Sequence, residues 1–183
     1  SNVYEKLSEN SRRVLQIFLL EDQKLTFGII DFYMDIDNSL LEESINELLT
    51  TYMIRPSSGE YVMNEMSREY ISINYPPSND LVLEIFAKRK KLKLMIQRVK
   101  VYSEQALFNP NSICSNLSNA DKQLATYYLI QALDNGKFKN WEVANKFIEK
   151  AGNIAPDYFE VYKVRAFIDA ERGELFGAIN NYK

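Results

Sequence analysis

A chain of 183 residues with 46% hydrophobic and 26% charged side chains, 6 Gly and 5 Pro is composed like a folded globular protein of one or two domains, not a disordered or collagen-like one. It contains no histidine and a single cysteine, Cys114. These absences exclude histidine acid–base chemistry, Ser-His and Cys-His nucleophiles, the common zinc sites and an intrachain disulfide, so a reducing, cytoplasmic setting is expected. No run approaches the ~20 apolar residues that cross a bilayer, and no signal peptide is visible. Ser1-Asn2 read as an expression remnant. The chain stops at Lys183 inside an unfinished amphipathic pattern and is expected to be a piece of something longer.

The net charge of −3 is unevenly spread: Ser1 to Tyr75 carry 6 Lys/Arg against 13 Asp/Glu, and Pro76 to Lys183 carry 16 against 12. Between them, Tyr75-Pro76-Pro77-Ser78-Asn79-Asp80 combines helix-disfavouring prolines with N-cap residues, which predicts a domain boundary. Residues 1–76 form the first expected domain, 80–118 a connecting long helix and loop, and 119–183 the last domain.

Within the first domain, Ser8-Glu9-Asn10-Ser11 precedes Val14, Leu15, Ile17, Phe18 and Leu19, a capped helix closed by Glu21-Asp22. The stretch Leu25 to Phe32 predicts an edge strand running into a second helix. Asp37-Asn38-Ser39 caps a third, with Leu40, Leu41, Ile45, Leu48 and Leu49 on one face. Met53-Ile54 and Tyr61-Val62-Met63 flank a turn at Arg55 to Glu60, a hairpin, and Met66 to Ile73 reads as a closing helix. Three helices and a hairpin in about 65 residues follow the order of a winged helix-turn-helix.

Charge argues against DNA as its target. From Leu25 to Ile54 there are six acids, Asp31, Asp35, Asp37, Glu42, Glu43 and Glu47, and no Lys or Arg. A duplex carries one phosphate charge per about 1.7 Å, and affinity rests on cations that neutralise it. Arg55 at the wing does not offset six acids, so a protein-facing module is expected; Arg12 and Arg13 read as a solvated face. Asp35 and Asp37 could be considered as a catalytic carboxylate pair, but beside Asn38 they read as the cap of the third helix.

A long helix is predicted from Asp80 to Phe108, with Leu81, Ile85, Leu92, Met95, Val99, Tyr102 and Ala106 at three- and four-residue steps, and Phe86 assigned to the same apolar stripe. It carries a basic strip of Lys88, Arg89, Lys90, Lys91 and Lys93, continued by Arg98 and Lys100, with no acid between Glu84 and Glu104. Two readings remain open: a strip for nucleic acid or a phosphate-bearing partner, and a solvated face complementing the acidic first domain. Asn109 to Asn119 is an expected loop in which Cys114 has no base nearby and is inert.

The last domain contains an internal repeat. An offset of 34 aligns Tyr128 with Tyr162, Ala132 with Ala166, Trp141 with Leu175, Ala144 with Ala178 and Ile148 with Tyr182. The segment Trp141 to Ala151, followed by Pro156, resembles the second helix of a tetratricopeptide repeat (TPR); Val161 to Ala166 resembles the next first helix, and Gly173 to Ile179 the following turn and helix. In the first unit the usual turn glycine would fall on Lys139. The resemblance implies a mainly α protein ending in an α-solenoid of TPR-like hairpins, whose concave face is lined by first helices. Carried over, the groove positions are Thr126, Leu129, Leu133 and Lys137, then Glu160, Lys163, Phe167, Ala170 and Glu171, a plausible grip for a protein or peptide partner.

An acidic winged helix joined through a long helix to such repeats resembles the region that follows the ATPase core in signal-transducing STAND ATPases, a likeness carried by module order and by Tyr4-Glu5-Lys6-Leu7-Ser8. The resemblance implies a winged helix docked on a nucleotide-binding or effector domain outside this chain, and repeats that sense a ligand or partner. Many members touch nucleotide with a winged-helix histidine, which is absent here. No phosphate-binding G-x-x-x-x-G-K-[ST] motif occurs either, so a non-enzymatic regulatory piece without cofactor, metal or membrane contact is expected. A transcription regulator whose winged helix reads DNA and whose repeats sense a peptide is the alternative.

Overall fold

The computed structural model describes residues 3–21, 24–106 and 119–174. Ser1-Asn2, the expected loop around Cys114 and the expected second helix of the second repeat, Leu175 to Ile179 with Ala178 and Tyr182, lie outside the described residues. The chain is mainly helical and divides into two compact units, Ser1–Lys91 and Leu92–Lys183. The division does not fall at the prolines. They do separate two helices, α5 (Glu65–Asn74) from α6 (Asn79–Ala106), yet the first three turns of α6 belong to the first unit. In these turns Leu81 and Ile85 are buried, and Glu84, Lys88 and Arg89 all reach groups of residues 13–33, described below.

The first unit begins with a short helix α1 (Val3–Lys6), then α2 (Glu9–Glu21), α3 (Phe27–Met34) and α4 (Asn38–Thr50). Each start has a local cause. Ser8 Oγ accepts from the Ser11 amide, Thr26 Oγ1 from Ile29 N and Asp37 Oδ1 from Ser39 N, which satisfies amides that a helix leaves orphaned. Strands β1 (Ile54–Ser57) and β2 (Glu60–Met63) pair antiparallel, Ile54 opposite Met63 and Ser57 opposite Glu60. The hairpin turn is therefore Ser58-Gly59 alone, both in the left-handed region at φ 54° and 82°, as a two-residue hairpin requires. Arg55 and Pro56, expected in the turn, lie in β1 instead. The predicted edge strand shrinks to one bridge, Leu25 with Tyr61, before α3 begins.

Apolar faces of α2, α3 and α4 meet in one core: Val14, Leu15, Ile17 and Phe18 from α2, Ile30 and Tyr33 from α3, Leu41, Ile45 and Leu48 from α4. Ile54, Met63 and Ile71 extend it under the hairpin and α5. Each such side chain contributes about 1.5–3 kcal/mol by leaving water.

The second unit holds the last turns of α6 and three antiparallel-type hairpin helices, α7 (Ala120–Lys137), α8 (Trp141–Ile154) and α9 (Phe159–Glu171). Small residues sit in its core: Ala125, Ala132, Ala144, Ala151 and Ala166 are all buried and let helix backbones approach. At Gly136 the approach is so close that a Cβ would stand 2.5 Å from Ile168 Cδ1 of α9.

Two helix ends in this unit are built alike, 34 residues apart. After α7, Lys139 N donates to Gly136 O and Asn140 N to Asn135 O, with Lys139 at φ 59°. After α9, Gly173 N donates to Ala170 O and Glu174 N to Asp169 O, with Gly173 at φ 83°. Both pairs of bonds close a helix through a left-handed residue, the Schellman geometry. The position that the sequence pattern marks as lacking its glycine thus adopts the glycine conformation with a lysine in it.

Candidate functional site

Three surfaces carry the residues singled out in the sequence: the acidic third helix, the basic strip on α6 and the α7/α9 side of the second unit. On α4 the acids separate into two roles. Glu42 and Glu43 are exposed, but Glu47 turns inward and caps α2, accepting from Ser8 N at 3.2 and 3.1 Å, from Ser8 Oγ at 2.7 Å and from the buried Ser11 hydroxyl. Partial burial works against its charge, yet the Ser11 and Ser8 bonds outweigh it and hold the carboxyl below its ordinary value. Of the other five acids, Asp31 is buried. Asp37 accepts from Ser39 N at 2.9 Å and Ser39 Oγ at 2.6 Å, which lowers its pKa and commits it to the start of α4. Asp35 ends α3 at φ 50°. Both acids thus serve helix ends, and among the described residues no group of three or more Cys, Asp or Glu is arranged to hold a metal.

The basic strip is not one surface. Lys88 and Arg89 are spent inside the first unit. Lys88 Nζ donates to Tyr33 O at 2.6 Å and pairs with Glu84 at 3.0 Å, while Glu84 takes both oxygens to Arg13 Nη2 at 2.7 and 2.6 Å. The Arg13 bond is the main cause of the lowered Glu84 pKa. Arg89 donates Nε to Glu21 Oε1 at 3.0 Å and Nη2 to Leu20 O at 2.8 Å, and its guanidinium lies 5.0 Å from the Phe86 ring centre. The Glu21 side chain is only 5% exposed. Nearby, burial and then the Glu21 charge push the Tyr33 hydroxyl well above its ordinary value. Arg13 is accordingly an ion-pair partner and not a solvated face.

Lys90, Lys91 and Lys93 remain exposed. Helical geometry explains the split: position 88 falls on the stripe of Leu81, Ile85, Leu92, Met95 and Val99, all buried, while 90 and 93 fall on the far side and 91 flanks the stripe, its ammonium 5.9 Å from the Phe32 ring centre. Phe86 does not join that stripe. It is exposed, as are Leu83, Leu94 and Val101. Composition had drawn attention to the cations of this helix; the outward apolar residues among them were visible only once the inner face was known.

On the second unit, three of the carried-over groove positions are core. Leu129 and Thr126 are fully buried, and Thr126 Oγ1 shares a hydrogen bond of 3.0 Å with the Tyr158 hydroxyl. Glu160 is buried and paired with Lys163 at 3.2 Å. The cause is that α7 packs on both α8 and α9 and is tied to α6 by Arg98–Asp134 at 3.2 Å, so nearly every side from Leu124 to Ala132 is covered. Leu133 and Lys163 are half-buried, and Lys137, Phe167, Ala170 and Glu171 are exposed. Lys137 pairs with Asp134 at 3.2 Å on its own helix. Exposed aromatics outside the carried-over groove positions, Phe138, Phe159 and Tyr162, belong to the same two helices or their ends.

Among the described residues no helix is long and apolar enough to cross a membrane. No family model, no curated protein and no solved structure matches this chain.

Proposed function

We propose that the chain is a regulatory, protein-binding piece: a winged helix in the first unit, and in the second the beginning of a TPR-type array that grips a protein or peptide. The observation that carries the reading is the pair of helix ends at Lys139 and Gly173, alike in hydrogen bonding and in sign of φ at the 34-residue period of that repeat. The order α2, Leu25 bridge, α3, α4, β1 and β2 supports the winged-helix part. With Glu42 and Glu43 exposed and no cation between Leu25 and Ile54, its third helix suits a protein surface better than a phosphate backbone.

In this reading the concave face is narrower than family positions imply, reduced to Leu133, Lys137, Lys163, Phe167, Ala170 and Glu171. Partner binding there shifts the population of docked and undocked winged helix on an ATPase or effector domain outside the chain, as in the STAND architecture. Nothing in the chain supplies a phosphate loop, so nucleotide chemistry is assigned to that other domain.

The test is a peptide-display selection on the whole chain, followed by Phe167→Asp. Selected peptides are expected to lose about tenfold or more in affinity, since Phe167 is the largest exposed apolar group of the face. Ligands indifferent to this change, or a mobility shift of random duplex DNA at low salt, would replace the reading with the transcription-regulator alternative or with another surface.

A further inference from the structure

The outward face of α6 has a spacing that the basic strip conceals. Leu83, Ala87, Lys90, Leu94, Gln97 and Val101 recur at alternating steps of four and three, and all six are exposed. Leu83 is 67%, Leu94 59% and Val101 46% exposed. Steps of four and three are the a and d seam of a two-stranded coiled coil. On that register the positions bordering the seam are Glu84, Lys91 and Arg98 on one side and Phe86, Lys93 and Lys100 on the other; Glu84 is half-buried and held by Arg13 and Lys88, and the other five are exposed. Four of the five exposed borders are cations, and Lys90 adds a fifth positive charge inside the seam. Among the described residues Lys90, Lys93 and Lys100 enter no ion pair, whereas Arg98 meets Asp134.

We propose that this face is a docking seam for an acidic amphipathic helix of a partner protein, with apolar residues on its own seam and Glu or Asp along its borders. Charge chooses the occupant. A second copy of α6 would place cation against cation on both borders, whether parallel or antiparallel, because border positions pair with border positions in either orientation and the one border acid, Glu84, is already held by Arg13 and Lys88. The undescribed stretches 107–118 and 175–183 contain no Asp or Glu at all, so neither supplies the complement. A bilayer is disfavoured because Lys90 and Gln97 interrupt the apolar line at its centre, where an interfacial helix needs an unbroken apolar face. Nucleic acid is disfavoured because Leu83, Leu94 and Val101 occupy the centre line between the two rows of cations and offer nothing to a phosphate. Lys90 sets the register, since an acid on the partner helix must stand opposite it. The proposal is independent of the repeat assignment and survives if the Phe167 face binds nothing.

The test uses the whole chain and three labelled helical peptides with a common leucine seam and borders of Glu, Gln or Lys, read by fluorescence anisotropy at low ionic strength. The Glu-bordered peptide is expected to bind about tenfold or more tightly than the Gln one, with the Lys one not binding. Lys93→Glu with Lys100→Glu should invert that order, and Leu94→Asp should abolish binding of the Glu-bordered peptide. These positions are exposed, and unchanged melting of the variants shows that the fold is kept. Equal affinity for the Glu and Lys peptides overturns the proposal. So does tighter binding of phosphatidylserine vesicles or of a duplex oligonucleotide than of the Glu-bordered peptide, because either would make the face a membrane or nucleic-acid surface.

Discussion

The two units are closed by different means. In the first, helices are tied by charged groups drawn from far along the chain: Glu47 to Ser8 and Ser11, Glu84 to Arg13, Arg89 to Glu21. In the second, small side chains recur along the buried faces, Ala132, Ala144, Ala151 and Ala166, among larger ones such as Leu124, Ile148 and Ile168, and the turns are closed by backbone bonds. The difference teaches where each unit is vulnerable. Ionic ties that are partly buried depend on both partners and on pH, whereas small-residue packing and backbone caps depend on volume and on φ.

The largest effect should come from removing the cation beside a buried carboxylate. Arg89→Ala leaves the Glu21 carboxylate, 5% exposed, without its guanidinium and is expected to cost about 2–4 kcal/mol in chemical denaturation. Adding Glu21→Gln to that variant should recover most of the loss, and a double-mutant cycle that showed strict additivity would remove the tie from the account. A smaller loss, about 1–2 kcal/mol, is expected for Glu47→Gln, which exchanges a charge-assisted cap for a neutral one. It carries a pH signature. The folded pKa of Glu47 is depressed below 4.5, so its contribution is complete above that value and disappears as pH falls through the depressed one. The acid limb of stability against pH should therefore be shallower in Glu47→Gln than in the parent, and identical limbs would deny the cap its charge. Smallest is the comparison of the two helix ends. Lys139→Gly should stabilise by about 0.5–1 kcal/mol and Gly173→Ala should destabilise by a similar amount, because only glycine enters the left-handed region without cost. Thermal shifts of the same sign for both would break the equivalence of the two ends.

Much of the helix layout was legible in the sequence because it rests on local chemistry. Ser8 and Asp37 cap the helices that follow them, and the proline pair separates α5 from α6. What was not legible depends on which side of a helix is already occupied. Leu129 reads as a groove residue from its place in a repeat, but α7 is packed from more than one side and Leu129 is core. Phe86 reads as core from its apolarity, but it lies one position beyond Ile85 and faces out. Lys88 reads as surface from its charge, yet its position on the inner stripe is tolerated because the Tyr33 carbonyl and Glu84 receive the ammonium. The hairpin turn was placed four residues too wide, since Arg55 and Pro56 look like turn residues until Ser58 and Gly59 are seen to supply both left-handed conformations.

Glu47 has a consequence for how the first unit assembles. The start of α2 is completed by a residue 39 positions away, so this helix end gains its full set of acceptors only when α4 is in place. Its formation is thereby a long-range event in an otherwise local element, and α2 and α4 are made to gain order as one cooperative block. The Ser8 amide, whose proton points at Glu47, becomes a sentinel for that block: its exchange with solvent deuterium follows the parting of α4 from α2 and not the fraying of α2 by itself.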